Sequence, residues 1–183
     1  MARIAHRLTA DEYERIWDKL DDSRVELIDG YVVAKMPKSP EHSWTTESLR
    51  KALRSRLPPG WTWHKEDPVR MPAYDEPEPD IAIIRGSNAD YKHRHPEPTD
   101  VALLVEVSHT TLSIDRGIKL SVYARERIPV YWIVNLVDRQ VEVYTNPGPS
   151  GYATRQDFKP GQQVPVVIAG QPCAPIPVDA ILP

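Results

Sequence analysis

The sequence predicts an α/β (α+β) domain, with one mixed central sheet flanked by helices over a single core. Three observations carry that prediction. "DIAIIR" at 80–85 and "VALLVEVS" at 101–108 are nearly continuous apolar runs, the pattern of strands covered on both faces. The apolar spacing turns helical at 41–57 and again at 114–127. A shorter helical segment at 10–19 is followed by Asp29-Gly30, a strong hairpin dipeptide. Helices alternating with buried strands exclude an all-β sandwich.

In chain order, Thr9 with Glu12 three positions on has the spacing of a capping box. It opens an amphipathic helix with Tyr13, Ile16, Trp17 and Leu20 on one side. "RVELIDGYVVAKM" alternates around Asp29-Gly30 and reads as a hairpin, completing an N-terminal helix-hairpin unit. Trp44, Leu49, Ala52, Leu53 and Leu57 space the helix at 41–57, which Pro58-Pro59-Gly60 ends. Strands are expected at 61–66, 68–71, 80–85 and 101–108, then the helix at 114–127, then strands at 130–136 and 140–145. The tail holds two weaker strand candidates, 151–157 and 163–168, which form a C-terminal β extension.

At 183 residues the chain is sized for one domain, 1–183. Its 19 prolines are about twice the usual share and read as stiff connections rather than disorder. A net charge of -3 gives no global field for polyanions, so any nucleic-acid contact must be local. The single Cys173 excludes an intrachain disulfide and a cysteine zinc site. There is no apolar run long enough for a membrane span and no signal-peptide core in "MARIAHRLTADEY", so a cytoplasmic protein without a membrane partner is expected.

Candidate chemistry begins with Asp80, which opens one buried strand, and Glu106, near the end of the next. Alternation places Glu106 on one face with Leu104 and Ala102, inside an apolar run. A carboxylate there is costly unless a cation or donors compensate. Two carboxylates at neighbouring strand ends can share a hard divalent cation, which suits phosphodiester hydrolysis. Lys119, on the following helix and four residues before Tyr123, supplies a cation to the same region. Each residue also has a plain structural alternative: a turn acid for Asp80, a buried ion pair for Glu106, an exposed helix pair with Asp115 for Lys119. Glu76 and Glu78 read as solvated neighbours of Asp80.

"PD" before an apolar strand, then "LLVEVS", then "DRGIKLSVYARERIPVYWIVN", resembles the Uma-type restriction endonuclease family of the PD-(D/E)xK nuclease superfamily. The resemblance spans about 10–145, includes "VELIDGYVVAKMPKSPEHS", and is most specific from Glu106 to Trp132. It implies a restriction-endonuclease-like αβββαβ core and a DNA endonuclease using Mg2+ or Mn2+. By motif position, Asp80 and Glu106 would be the metal ligands, and Ser108 stands at the usual lysine position, its role moved to Lys119. Glu26 and His42 match recurrent family residues and, with Ser108 and Tyr123, would support the site; a hairpin-edge acid and a helix-start or packing histidine are the alternatives. His109 and Asn135 depart from the family's proline and aspartate, which puts local turn geometry in question. A homodimer is a further expectation from the resemblance.

Two segments are candidates for DNA contact, Arg50 and Arg54 in "RKALRSR" and Lys92 and Arg94 in "YKHRH", although both also fit solvated surface. There is no helix-turn-helix or zinc-finger signature. Trp61, Trp63, Tyr131 and Trp132, at strand positions, read as core rather than a base-stacking platform. The main rival to an endonuclease is the same fold as a non-cutting module that binds nucleic acid or protein. A carboxylate-pair glycosidase would leave Lys119 without a role.

Overall fold

The computed structural model describes residues 6–20 and 25–183. Helix α1 (Ala10–Ile16) starts where the capping box predicts: Thr9 Oγ1 accepts from the Glu12 N–H at 3.2 Å, and the Glu12 carboxylate accepts from the Thr9 N–H at 2.8 Å. It continues into a 3₁₀ turn at Trp17–Lys19. Strands β1 (Val25–Ile28) and β2 (Tyr31–Ala34) pair antiparallel about Asp29 and Gly30, both at positive φ as a two-residue primed turn requires. Arg24, at the head of that predicted block, lies outside the described residues.

Helix α2 (Pro40–Arg54) has Ser39 as its N-cap and proline in its first turn. A six-stranded sheet follows, in spatial order β3 (Trp61–His64), β4 (Ile81–Arg85), β5 (Val101–Ser108), β6 (Val130–Asn135), β7 (Gln140–Gly148) and β8 (Gly151–Phe158). Only β5 and β6 run parallel; the other neighbours are antiparallel. The parallel pair needs a crossover, and helix α3 supplies it in three consecutive parts: Leu112–Ile114, a π-helical turn Asp115–Lys119, and Leu120–Arg125. Strands β9 (Gln163–Ile168) and β10 (Gln171–Pro177) form a separate hairpin.

The apolar runs at 80–85 and 101–108 are central strands, and all eight residues of β5 are buried. One sheet face packs Ile81, Ile83, Val105 and Val107 beneath Leu49 and Leu53 of α2 and the β9–β10 hairpin. The other packs Ala82, Ile84 and Leu104 against Val122 and Tyr123 of α3 and Ile28 of β1. Tyr131 and Trp132 are fully buried core residues, as expected, while Trp61 and Trp63 are half-buried on the edge strand β3.

Three expectations are corrected. A bulge where Ile83 and Ile84 pair with Leu103 and Val101 adds a residue to β5, so Ala102 lies on the face opposite Leu104 and Glu106. Residues 68–71 form no strand: Val69 donates to Pro77 and only a single bridge joins Met71 to Asp75, with Pro68 and Pro72 limiting any ladder. Strand β10 is not predicted by the sequence, where Pro172, Pro175 and Pro177 argue against a strand; it forms as one strand of an isolated hairpin with a bulge between Cys173 and Ile176.

Candidate active site

The antiparallel register that pairs Ile81 with Val105 places Asp80 beside Glu106 at one end of the sheet. The next partners in that register are Pro79 and Val107. Proline has no N–H, so the β4 side offers the Val107 carbonyl no backbone donor. The Val107 N–H instead donates to Asp80 Oδ2 at 2.8 Å. Proline thus ends the ladder one residue before the carboxylate, and the carboxylate takes over the backbone donor.

Helix α2 brings His42 to Asp80 from the other side. Ser39 caps the helix by accepting from the His42 N–H at 3.1 Å, and His42 Nε2 lies 3.1 Å from Asp80 Oδ2. Burial alone would raise the Asp80 carboxyl, but the His42 hydrogen bond, the Val107 amide and Lys38 together hold it below the usual range. An ionised carboxylate only accepts, so His42 Nε2 carries the proton of that contact. Both hydrogen bonds fall on Oδ2; among the described residues Oδ1 meets only Lys38 Nζ, at 3.7 Å.

Glu106 is 4% exposed, and its contacts also fall on one oxygen. Lys119 Nζ donates to Oε1 at 3.0 Å and the Tyr123 hydroxyl donates to it at 2.7 Å. Oε2 accepts from no protein group among the described residues. Burial pushes the Glu106 carboxyl up, to about 8; Lys119 opposes this, and Asp115, Asp80 and Glu26 add to it. Burial works against a charge on Lys119, but Glu106, Glu26 and Asp115 outweigh it and raise its pKa. Lys119 also lies 2.9 Å from Glu26 Oε1, while Glu26 Oε2 accepts from the Glu78 N–H. The exposed pair between Lys119 and Asp115 therefore does not form.

The π turn of α3 explains how one helix does this. Asp115 turns back to accept from Ser108 Oγ at 2.6 Å and Thr111 Oγ1 at 2.7 Å, fixing the turn to the end of β5. Arg116 reaches the opposite way, to fully buried Glu142 on β7 at 3.0 Å. Between these anchors Lys119 points at Glu106, and Tyr123, one turn on, joins it.

Glu26, His42, Asp80, Glu106, Asp115 and Lys119 thus line one cavity of about 140 Å³, room for several waters. Ser108 and Tyr123 act behind its wall, through Asp115 and Glu106. Among the described residues no three His, Cys, Asp or Glu side chains converge as a ready metal cage. What the site offers is Asp80 Oδ1, Glu106 Oε2 and the Val107 carbonyl. Oxygen donors with water completing the shell fit magnesium or manganese, which keep several waters.

Several site features escaped the sequence reading. Lys38 contacts Glu66 at 2.6 Å as well as Asp80, and Lys35 pairs with Glu78. The signal was two lysines without an acid in "AKMPKS", just ahead of His42. Glu76 and Glu78 are not solvated: Glu76 is 5% exposed and bridges to Leu27 of β1, which draws this segment under the hairpin. Asn135 keeps the turn that its aspartate counterpart would make, since Oδ1 accepts from the N–H groups of Val137 and Asp138. His109 is exposed at the cavity mouth.

The DNA-contact candidates lie apart from this cavity. Arg50 is held bidentate by Glu47 and stacks over Trp63; Arg94 pairs with Asp100 and stacks over Tyr91. Arg54 and Lys92 are exposed and have no ion pair among the described residues. No described helix is long and apolar enough to cross a membrane.

No curated protein sequence matches the chain. The fold is similar to the crystal structure, at 1.96 Å, of "a putative nuclease belonging to DUF820" from Anabaena variabilis ATCC 29413. The TM-score is 0.70 at 16% identity, over 95% of this chain and 97% of that one. The profile of the Uma2 family, described as "putative restriction endonuclease", matches residues 10–173. The chain belongs to the Uma2 family, and its fold is similar to that of this putative nuclease.

Proposed function

We propose that this protein is a divalent-metal-dependent endonuclease that hydrolyses phosphodiester bonds in DNA. The observation that carries the reading is the pair of strand-end carboxylates, Asp80 and Glu106, each with one oxygen left to the cavity beside a buried lysine. Asp80, Glu106 and the Val107 carbonyl would hold Mg2+ or Mn2+. Such a cation, when bound, lowers the pKa of a coordinated water and neutralises charge on the phosphate. His42 fixes the orientation of Asp80, and Tyr123 fixes that of Glu106. Lys119, kept charged by Glu26 and Glu106, stands where it can orient the attacking water or meet charge developing on the phosphate. One chain has one such site, so cutting both strands would use two copies, a homodimer or successive events.

The seating of Lys119 on two carboxylates also suits a fold that binds without cutting. Incubation with plasmid DNA separates the readings. Nicking or cutting should require Mg2+ or Mn2+, stop with EDTA, and be lost in Asp80→Ala and Lys119→Ala while circular dichroism shows a folded protein. Undiminished cutting in either variant would overturn the site assignment. Metal binding without any cutting would favour the binding module.

A further inference from the structure

Lys38 has no place in the reading so far, and its position is unusual. It lies between β2 and α2 with its side chain 35% exposed, at the rim of the cavity whose floor holds Lys119, 7% exposed. His42 and the Val107 amide both take Asp80 Oδ2; among the described residues Lys38 alone faces Oδ1, the oxygen that a metal ion would need. Its nearer contact is Glu66, at 2.6 Å. Glu66 is itself fixed: its backbone is left-handed at φ 57, which a non-glycine residue adopts only when its surroundings hold it, and its N–H donates to the Pro79 carbonyl.

We propose that Lys38 is a phosphate-binding residue held in store: it covers Asp80 Oδ1 in the metal-free protein and turns out to a DNA phosphate when a divalent cation takes that oxygen. The inference rests on the metal-nuclease reading above. An ammonium 3.7 Å from a carboxylate oxygen repels a divalent cation bound to that oxygen. Lysine can leave, because it is a point charge on a flexible stem that needs no fixed geometry at its new partner. Lys119 cannot do the same, with Glu26 and Glu106 both gripping it in a buried position. The rim is also where a strand entering the cavity first meets protein, so a released ammonium there meets phosphate rather than bulk water.

The consequence is an antagonism that a spectator or a merely structural lysine would not show. Mn2+ should bind Lys38→Met about tenfold more tightly than wild type in the absence of DNA, since one opposing charge is gone. Duplex DNA in Ca2+ should bind the same variant more weakly. Its slope of log affinity against log salt should be smaller by about one, as one phosphate contact is lost. Mn2+ titration by calorimetry and salt-dependent DNA titration by fluorescence anisotropy read the two effects. Saturable Mn2+ binding to wild type with equal or weaker binding to Lys38→Met overturns the gate alone. An unchanged salt slope overturns the phosphate role. No saturable Mn2+ binding to wild type overturns the metal site, and this proposal with it.

Discussion

Glutamine in place of Glu142 tests whether the clamp behind the π turn is held by charge. Glu142 is fully buried on β7 and receives Arg116, the Asn135 amide and the Tyr144 hydroxyl. Burial alone would raise its pKa, but these donors and Arg155 bring it down to about 2 from 4.5. A depressed folded-state pKa contributes stability that is present above the unfolded value and lost as pH falls through the folded one. The difference is worth about 3 kcal/mol at pH 7 and only about 1 kcal/mol at pH 3. Glu142→Gln imitates the protonated residue, so its deficit in urea denaturation should be near 3 kcal/mol at pH 7 and shrink by about 2 kcal/mol at pH 3. The melting temperature at pH 7 should fall by roughly 10 °C, at 2–4 °C per kcal/mol for a chain of this size. An equal deficit at both pH values would refute the charge-based clamp and leave packing as the cause. On the endonuclease reading, kcat should drop more than DNA affinity, because Arg116 anchors the turn that aims Lys119.

Lys119→Met leaves Glu26 and Glu106 buried and facing each other, a loss of roughly 3–5 kcal/mol when a buried pair is broken. Urea denaturation in EDTA should show it, and added Mn2+ should recover part of it; no recovery would mean that the cation does not reach these carboxylates. Glu76 has the opposite sign. Burial pushes its carboxyl up to about 7, helped by Glu14 and Glu78 and opposed by Arg70, so wild-type stability should fall as pH rises from 4.5 through 7. Glu76→Gln should match wild type near pH 4.5 and be more stable at pH 8 by thermal denaturation; parallel profiles would contradict this. Gly30→Ala should lose about 1–2 kcal/mol by the same assay, since φ is +80 and a Cβ there would lie 2.7 Å from Arg7 Cβ.

The sheet and the order of its elements were legible because the central strands at 80–85 and 101–108 are short, nearly continuous apolar runs rich in Val and Ile, shorter than a typical buried helix. The carboxylates were legible for the same reason: Glu106 inside "VALLVEVS" demands compensation, and its compensators, Lys119 and Tyr123, sit four residues apart on one helix. Face assignment failed at Ala102, where a bulge reverses the alternation without any glycine or proline to announce it. Residues far apart in sequence were the other blind spot. Nothing local says that Lys38 meets Glu66, or that Arg116 finds Glu142, because only the folded sheet ends bring those segments together. The same applies to Glu76, whose burial depends on β1 crossing above it.

The site's charges also bear on whether the fold depends on metal. Six carboxylates, Glu26, Glu66, Glu78, Asp80, Glu106 and Asp115, line the cavity with three ammonium groups, Lys35, Lys38 and Lys119. The carboxylates are met by protein donors as well: His42 and the Val107 amide on Asp80, Tyr123 on Glu106, the Glu78 amide on Glu26, Ser108 and Thr111 on Asp115. A site satisfied this far has little reason to collapse without a cation, unlike a structural zinc centre whose ligands repel one another until metal arrives. EDTA should therefore leave the far-ultraviolet circular dichroism unchanged. Mg2+ should add only the linkage term, about 2.7 kcal/mol at a hundred times its Kd. A protein that unfolds on chelation would show instead that the lysines do not balance the acids, and that the cation is part of the fold.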